Sequence, residues 1–205
     1  MDLQNIIPKD GPAIEEVQKY IEKYTDEVIV IKCGGSVLLD QNLFNQFIED
    51  ISVINKLGLN SIVIHGGGRN IKKKLDQQNI ESKFIDGLRV TDKIIIKVVD
   101  EALTELNLEI IKKLNIKKCK AQSITAKKNN VITTIPERKE LGFVGNPKKV
   151  KKETLLAIIK KKEVPVIVPM GIGDDKKLYN INADITAGAV AKTLNSRRLL
   201  LMTDV

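Results

Sequence analysis

The sequence predicts an α/β fold, in which an open and mostly parallel sheet is sandwiched between helices. Short apolar runs rich in Ile and Val alternate with amphipathic segments along most of the 205 residues. Hydrophobic residues make up 42% of the chain, which is enough for a sizeable core. Three of the apolar runs also end in glycines. This alternation favours right-handed β-α-β crossovers with helices on both faces of the sheet.

The first third of the chain contains a short helix and then two strand–helix units. Residues 12–24 predict an amphipathic helix, because apolar side chains recur there at spacings of three and four. The β-branched run 28–32 predicts a buried strand, and a helix is expected over 41–57. A second strand over 61–65 runs into three glycines and a helix over 69–78.

The middle third begins with a turn signal. Asp86-Gly87 within 80–92 is a strong indication of a β-hairpin. A long helix follows over 92–114, since its apolar positions keep a helical period. Residues 121–125 and 130–135 predict two strands around a turn.

The last third repeats the strand–helix alternation. A helix is expected over 153–162, a buried strand over 164–173 that ends in a glycine loop, and a helix over 184–195. The apolar run 199–202 has the composition of a central strand. Because domains seldom end on such a strand, we expect the chain to be the amino-terminal part of a longer protein, with the sheet incomplete at the carboxyl end.

Composition disfavours two classes of partner. No apolar run approaches the roughly 20 residues of a membrane span, so no membrane partner is expected. The net charge is +8, but only five of the 34 basic residues are Arg and aromatics make up 3%, so nucleic acid is not expected either. Cys33 and Cys119 have no metal-ligand spacing and predict reduced thiols in the cytoplasm, and no metal site is predicted.

Glycines follow three apolar runs: Gly34-Gly35, Gly66-Gly67-Gly68 and Gly171-Ile172-Gly173. In open parallel sheets ligands bind beyond the carboxyl ends of the strands. Glycines there allow backbone N–H groups to close on an anion, although one such loop can also serve a tight turn alone. Neither the dinucleotide fingerprint nor the Walker motif is present.

Two basic side chains are placed where they could serve such an anion. Lys32 ends a strand just before Gly34, so it either reaches solvent at a sheet edge or neutralises a transferring phosphoryl group. Arg89 follows the predicted hairpin, so it is either a solvated charge or a clamp on a carboxylate.

Asn180, Asn182 and Asp184 occupy alternate positions before a helix of small residues. Alternation on an extended segment directs all three side chains to one side, which predicts a polar site. The alternative is that Asp184 only caps the helix.

The chain resembles the N-acetylglutamate kinases of the amino-acid kinase superfamily. The motifs occur in the family's order over nearly all of residues 14–205, and four of them together are specific to this branch: HGGG, GLRVT, LGFVG and NINAD. The resemblance implies an amino-acid kinase-like fold. It also implies transfer of the ATP γ-phosphoryl to the side-chain carboxylate of N-acetyl-L-glutamate, the second step of arginine biosynthesis, with Mg²⁺ bound alongside the nucleotide.

The resemblance also implies residue roles at the phosphoryl end of the site. Lys32 would be catalytic and stabilise the transferring group, with Asp184 organising the catalytic lysines. The residues implied near the phosphates or nucleotide are Gly34, Gly35, Gly66, Thr203 and Asp204.

At the other end, the implied substrate-binding residues are Gly67, Gly68, Arg89, Asn180 and Asn182. The glycines would offer backbone N–H groups, Arg89 would hold the α-carboxylate, and Asn180 would contact the substrate. Asn182 would share the polar network between Asn180 and the catalytic aspartate.

The resemblance implies three regions and an assembly. Residues 1–25 would be a helical extension, 26–178 the acetylglutamate-binding lobe, and 179–205 the start of a nucleotide-binding lobe. The implied assembly is a homo-oligomer, either a dimer or a hexamer formed through the N-terminal helix, with possible feedback inhibition by arginine. The helix could instead pack only on its own domain.

Two other functions remain open from the sequence. The substrate could be N-acetyl-aminoadipate or another acidic amino acid. Alternatively, the chain could bind an acylamino acid without turnover and act as a regulator. The segment "DIT" at 184–186 and Cys33 both depart from the commoner family pattern.

Overall fold

A computed structural model of the chain describes residues 3–202, except for the side chain of Ser36. The helices are α1 (Ile14–Tyr24), α2 (Gln41–Lys56), α3 (Gly68–Gln77), α4 (Ile95–Ile116), α5 (Lys152–Lys160) and α6 (Ala183–Thr193). The strands are β1 (Val28–Cys33), β2 (Asn60–His65), β3 (Phe84–Ile85), β4 (Leu88–Arg89), β5 (Ala121–Ile124), β6 (Ile132–Pro136), β7 (Gly145–Val150), β8 (Val164–Ile167), β9 (Met170–Gly173), β10 (Leu178–Asn180) and β11 (Arg198–Met202). Every helix predicted from the sequence is present, within a few residues of its expected bounds.

The main sheet is parallel throughout, with strand order β11-β1-β2-β8-β5. Its register pairs Cys33 with His65, so the ends of β1 and β2 lie side by side. The loops after both strands therefore meet at one edge of the sheet. This arrangement confirms the predicted open parallel sheet.

Helices cover both faces of this sheet, because side chains alternate along the buried strands. Ile29, Ile31 and Cys33 of β1 pack in a cluster with α2 and α4. Val30 belongs to a cluster on the opposite face with α5 and α6. Lys32 is in phase with Val30, and this phase directs it toward α6.

A second, mixed sheet has the order β10-β9-β6-β7. One prediction about this region is wrong, and one strand had no prediction. The run 164–173 is not one strand, because the chain leaves the main sheet after Ile167 and enters the second sheet at Met170. Strand β7 had no prediction, since its sequence GNPKKV contains little apolar alternation.

The predicted hairpin is confirmed as β3–β4. Its turn residues Asp86 and Gly87 have positive φ values of 49° and 77°, the conformation that an Asp-Gly hairpin turn requires. Across residues 3–202, no helix combines the length and apolar character needed to cross a bilayer.

Candidate active site

Ten of the twelve residues predicted for the site line one cavity of about 240 Å³, which we call the inner cavity. It lies beyond the carboxyl ends of β1 and β2, against the start of α6. The ten residues are Lys32, Gly34, Gly35, Gly66, Gly67, Gly68, Arg89, Asn180, Asn182 and Asp184. The other two, Thr203 and Asp204, lie outside the described residues.

Lys32 reaches the cavity from a buried strand. Its Nζ lies 3.0 Å from Oδ1 of Asp184, and the two side chains are 8% and 51% exposed. The alternative of a lysine extending into solvent at a sheet edge is therefore wrong. An ammonium group held this far from water interacts strongly with any anion that enters the cavity.

The loop after β1 is shaped around this ammonium group. A Cβ added to Gly34 would lie 3.1 Å from Lys32 Nζ, so the absence of a side chain gives the lysine its path. The neighbouring loop is fixed to this one, because the N–H of Gly66 donates to the carbonyl of Cys33 at 2.6 Å. The two glycine loops thus form one continuous wall.

The N-terminus of α3 supplies the amide groups of that wall. Gly67 precedes the helix and Gly68 is its first residue. Their N–H groups have no hydrogen-bond acceptor within the part of the chain that the structure describes. Unpaired N–H groups at a helix start, together with the positive end of the helix dipole, suit an anion.

Arg89 also lines the cavity and is only 7% exposed. Its guanidinium donates to Ser82 Oγ and, at 3.1 Å, to the carbonyl of Gly68, and it lies 4.6 Å from the Phe84 ring centre. Burial lowers its pKa, and the charge of Asp76 opposes this. The alternative of a solvated hairpin charge is therefore wrong.

The Arg89 guanidinium faces no carboxylate within 4 Å among residues 3–202. Buried charges are normally paired, so this one is suited to receive an anionic ligand. It also faces a second, outer cavity of about 560 Å³ that contacts the inner one at Gly35, Gly67 and Gly68. Cavities of roughly 300–1,000 Å³ are typical of small-molecule sites.

The segment before α6 contributes amide groups. Asn180 lines the cavity, and its side-chain amide has no hydrogen-bond partner within residues 3–202. Asn182 is the N-cap of α6, because its Oδ1 accepts from the N–H groups of Asp184 at 2.8 Å and Ile185 at 3.1 Å. The alternative that Asp184 is the cap is wrong, and its carboxylate is left for Lys32.

The third glycine pair forms no loop after a strand, contrary to the prediction, and does not line the inner cavity. Gly171 and Gly173 lie within β9 and do not form a loop after a strand. A Cβ on Gly171 would lie 2.4 Å from Thr134 Cγ2 and 2.7 Å from the carbonyl of Ile132. These glycines therefore permit close packing of the second sheet.

Sequence reasoning missed several residues next to the site. Ser82 and Phe84 hold Arg89, and no motif marks either residue. His65 and Asn107 are fully buried behind the glycine loop. His65 had one signal, since it is the single histidine of the chain and directly precedes the three glycines.

Cys33 is fully buried, and burial raises its thiol pKa to about 12, so it packs as a neutral side chain. Within the described residues, no group of three His, Cys, Asp or Glu side chains is arranged to hold a metal ion. The chemistry of the cavity comes from two buried cations, one carboxylate, amide groups and backbone N–H groups. This set suits the binding of a substrate carboxylate close to a phosphoryl group.

Comparisons with known proteins agree with this geometry. The model of the amino acid kinase family matches residues 27–205. The acetylglutamate kinase of Pelagibacter ubique (strain HTCC1062) is 56% identical over 204 residues, covering 100% of this chain and 71% of that protein. The acetylglutamate kinase of Petrotoga mobilis (strain DSM 10674 / SJ95) is 39% identical over 193 residues, covering 93% and 64%.

A solved structure supports the fold. The crystal structure of smu.665 from Streptococcus mutans UA159 superposes with a TM-score of 0.80 and 28% identity, covering 87% of this chain and 73% of that one. The family match extends over most of the chain, and the identity to the first relative is high over the whole of it. The chain therefore belongs to the amino acid kinase family and, within it, to the acetylglutamate kinases.

Proposed function

We propose that the protein phosphorylates the side-chain carboxylate of N-acetyl-L-glutamate with ATP; the relatives it matches are named acetylglutamate kinases. The observation that supports this most is the presence of two buried cations in the lining of one cavity. Lys32 is paired with Asp184, and Arg89 donates to the carbonyl of Gly68. One cation suits the phosphoryl group and the other suits a carboxylate.

The reaction balances with these groups. A side-chain carboxylate oxygen of the substrate attacks the γ-phosphorus, the bond to the bridging oxygen breaks, and ADP leaves with that oxygen. The product is an acyl phosphate. Lys32 neutralises charge on the transferring group, and the N–H groups of Gly67 and Gly68 donate to oxygens of the substrate and of the phosphoryl group. Asp184 holds the ammonium of Lys32 in place.

Arg89 is proposed to bind the α-carboxylate and Asn180 the polar acetylamino portion. A guanidinium pairs with a carboxylate through two parallel hydrogen bonds, which fixes the orientation of the bound acid as well as its charge. Asn182 retains an amide N–H beyond its capping contacts and shares this polar network. Gly34, Gly35 and Gly66 are proposed to lie against the phosphates.

The nucleotide is proposed to be ATP with Mg²⁺. The cavity offers N–H donors and one half-exposed carboxylate, and this set fits a metal that stays bound mainly to phosphate oxygens. When bound, Mg²⁺ would neutralise charge on the phosphates. Thr203 and Asp204 remain proposed nucleotide contacts. The divisions 1–25, 26–178 and 179–205 remain proposed as extension, substrate lobe and start of the nucleotide lobe.

A homo-oligomer in the cytoplasm is also proposed. Exposed apolar side chains on α4, Leu108 at 54% and Ile116 at 70%, support a contact between copies. Tyr20 on α1 is 47% exposed and could extend this to a hexamer. Sedimentation velocity of the chain tests the assembly, and its repetition with arginine, together with an assay, tests the feedback proposed from the resemblance.

The experiment for the proposed activity is an acyl-phosphate assay. The product is trapped with hydroxylamine as a hydroxamate, with N-acetyl-L-glutamate and N-acetyl-L-aminoadipate compared side by side. The expected result is turnover of the first at a higher kcat/KM than the second. Calorimetry with N-acetyl-L-glutamate on the same chain measures binding separately. Absence of both turnover and binding would contradict the proposal, and binding without turnover would support the substrate site but not the phosphoryl transfer.

A further inference from the structure

His65 and Asn107 form a buried hydrogen-bond chain behind the glycine wall. His65 Nδ1 lies 2.9 Å from the carbonyl oxygen of Gly66, and its Nε2 lies 3.1 Å from Nδ2 of Asn107. The same Asn107 nitrogen lies 3.0 Å from the carbonyl oxygen of Val166 in β8. Both side chains are 0% exposed, and neither lines the cavity.

The two carbonyls at the ends fix every proton in this chain. A carbonyl oxygen only accepts, so Asn107 must present its NH₂ group to Val166. That NH₂ group also faces His65 Nε2, so Nε2 must accept and carry no proton. The proton of the neutral ring then lies on Nδ1, which donates to Gly66. A doubly protonated ring would set an N–H against the NH₂ group of Asn107.

The physical environment agrees with this neutral tautomer. Burial lowers the pKa of His65 to about 4, and the hydrogen bond to Gly66 opposes that shift only in part. The ring therefore keeps one protonation state at neutral pH. In that state its single donor is always directed at the Gly66 carbonyl.

The Gly66 carbonyl belongs to the same planar peptide as the N–H of Gly67. In a trans peptide the two groups point in opposite directions, so a carbonyl held toward the buried ring turns the N–H away from it. Gly67 lines the inner cavity, and its N–H has no acceptor in the described part of the chain. Glycine restricts its own backbone little, so the orientation needs an external restraint.

We propose that His65 and Asn107 are positioning residues that hold the Gly66–Gly67 peptide with its N–H directed into the cavity. This inference rests on the proposed function for the identity of the anion that receives the N–H. It assigns to the buried histidine a role in site geometry and none in proton transfer.

The test uses a matched pair of substitutions. His65→Asn places an amide nitrogen where ring Nδ1 was, so it retains the donor to Gly66. His65→Gln places its amide one bond farther, near ring Nε2, so it retains the partner of Asn107 and loses the donor to Gly66. Their measured stabilities separate a packing defect from a loss of positioning.

The first readout is NMR of the ¹⁵N-labelled chain, in which the single histidine gives unambiguous ring signals. The expected tautomer has the proton on Nδ1. The Gly67 amide resonance should stay near its wild-type position in His65→Asn and move in His65→Gln. A proton on Nε2, or equal displacement of Gly67 in both variants, would overturn the inference.

The second readout is affinity for N-acetyl-L-glutamate by calorimetry. His65→Gln should weaken binding by about 10- to 100-fold, the range for a misdirected hydrogen bond to a charged group. His65→Asn should recover most of that loss. Equal losses would contradict positioning by the Nδ1 donor. If the wild-type chain binds no N-acetyl-L-glutamate, the proposed function fails, and the NMR result still decides the positioning role.

Discussion

Lys32 and Asp184 form an ion pair of unequal burial. Their charged atoms are 3.0 Å apart, yet the lysine side chain is 8% exposed and the aspartate side chain 51%. Removing either partner leaves the other unpaired, but only the lysine is then a charge with little access to water. The energetic consequences of the two single substitutions must therefore differ.

We expect Asp184→Asn to destabilise the fold more than Lys32→Met. The first leaves a buried ammonium group unpaired and removes a negative charge near the start of α6, which together should cost about 1–3 kcal/mol. The second leaves a carboxylate that water already reaches. Urea unfolding measures both, and the double variant should recover part of the loss. Equal effects would show that the burial difference has no energetic weight.

Both single variants should lose phosphoryl transfer by about 100-fold or more, as is typical when a charge that stabilises the transition state is removed. The hydroxamate assay checks this by comparing the turnover of each variant with that of the wild-type protein. An Asp184→Asn protein with unchanged kcat would contradict the role assigned to the pair.

Gly67 and Gly68 offer a matched test of what the cavity wall holds. A Cβ on Gly68 would meet nothing within 4 Å, so Gly68→Ala should keep or slightly raise stability, since alanine favours the helix. The added methyl group would occupy ligand space, and the affinity for N-acetyl-L-glutamate should fall at least about tenfold. This corresponds to roughly 1.4 kcal/mol.

Gly67→Ala should behave differently. Its Cβ would lie 2.4 Å from Leu103 Cδ2 in the core, so this substitution should lower stability as well as affinity. Thermal unfolding and calorimetry on both variants separate the two effects. If Gly68→Ala binds as tightly as wild type, the ligand does not approach this amide.

Arg89→Lys should weaken binding of N-acetyl-L-glutamate by about 10- to 100-fold, because an ammonium group cannot reproduce the two-point contact of a guanidinium. The decisive comparison uses N-acetyl-L-isoglutamine, in which the α-carboxylate is an amide. Wild type should prefer the acid, and Arg89→Lys should lose most of that preference. A preference that survives would place the α-carboxylate elsewhere. Ser82→Ala, which removes only one partner of Arg89, is the milder control.

Stability should fall below neutral pH through His65. Its pKa is about 4 in the fold and about 6.5 when unfolded. Above pH 6.5 the ring is neutral in both states. Between pH 6.5 and 4 only the unfolded chain binds the proton, so stability decreases by up to about 3 kcal/mol. Denaturant unfolding of wild type and His65→Asn measures this. The difference between their free energies of unfolding should change with pH below about 6.5 and be constant above about pH 7.

The strands and helices that bury apolar side chains were predictable, because burial imposes a period on the sequence. Strand β7 was not, since its lysines face solvent at a sheet edge and leave no apolar pattern. The break at Pro169 was hidden by the apolar character of the residues on both sides. Ile167 before the break is buried in the main sheet, and Met170 after it is buried in the second sheet.

The site residues were predictable where glycine, charge and position after a strand coincide. The capping role of Asn182 was not, because Asn and Asp both cap helices and only backbone geometry decides between them. The contact of His65 with Asn107 joins residues 42 apart in the chain. Only the packing of α4 on the sheet brings them together.

The donors of the glycine wall have a consequence for how this site can vary during evolution. A main-chain N–H exists at every position and disappears only when proline replaces the residue. The donors at Gly67 and Gly68 therefore survive almost any substitution. What a substitution changes is the space that its side chain occupies, and selection at these positions should act on that added volume. In a deep mutational scan we expect tolerance at these two positions to decrease with side-chain volume, whatever the polarity of the substituent.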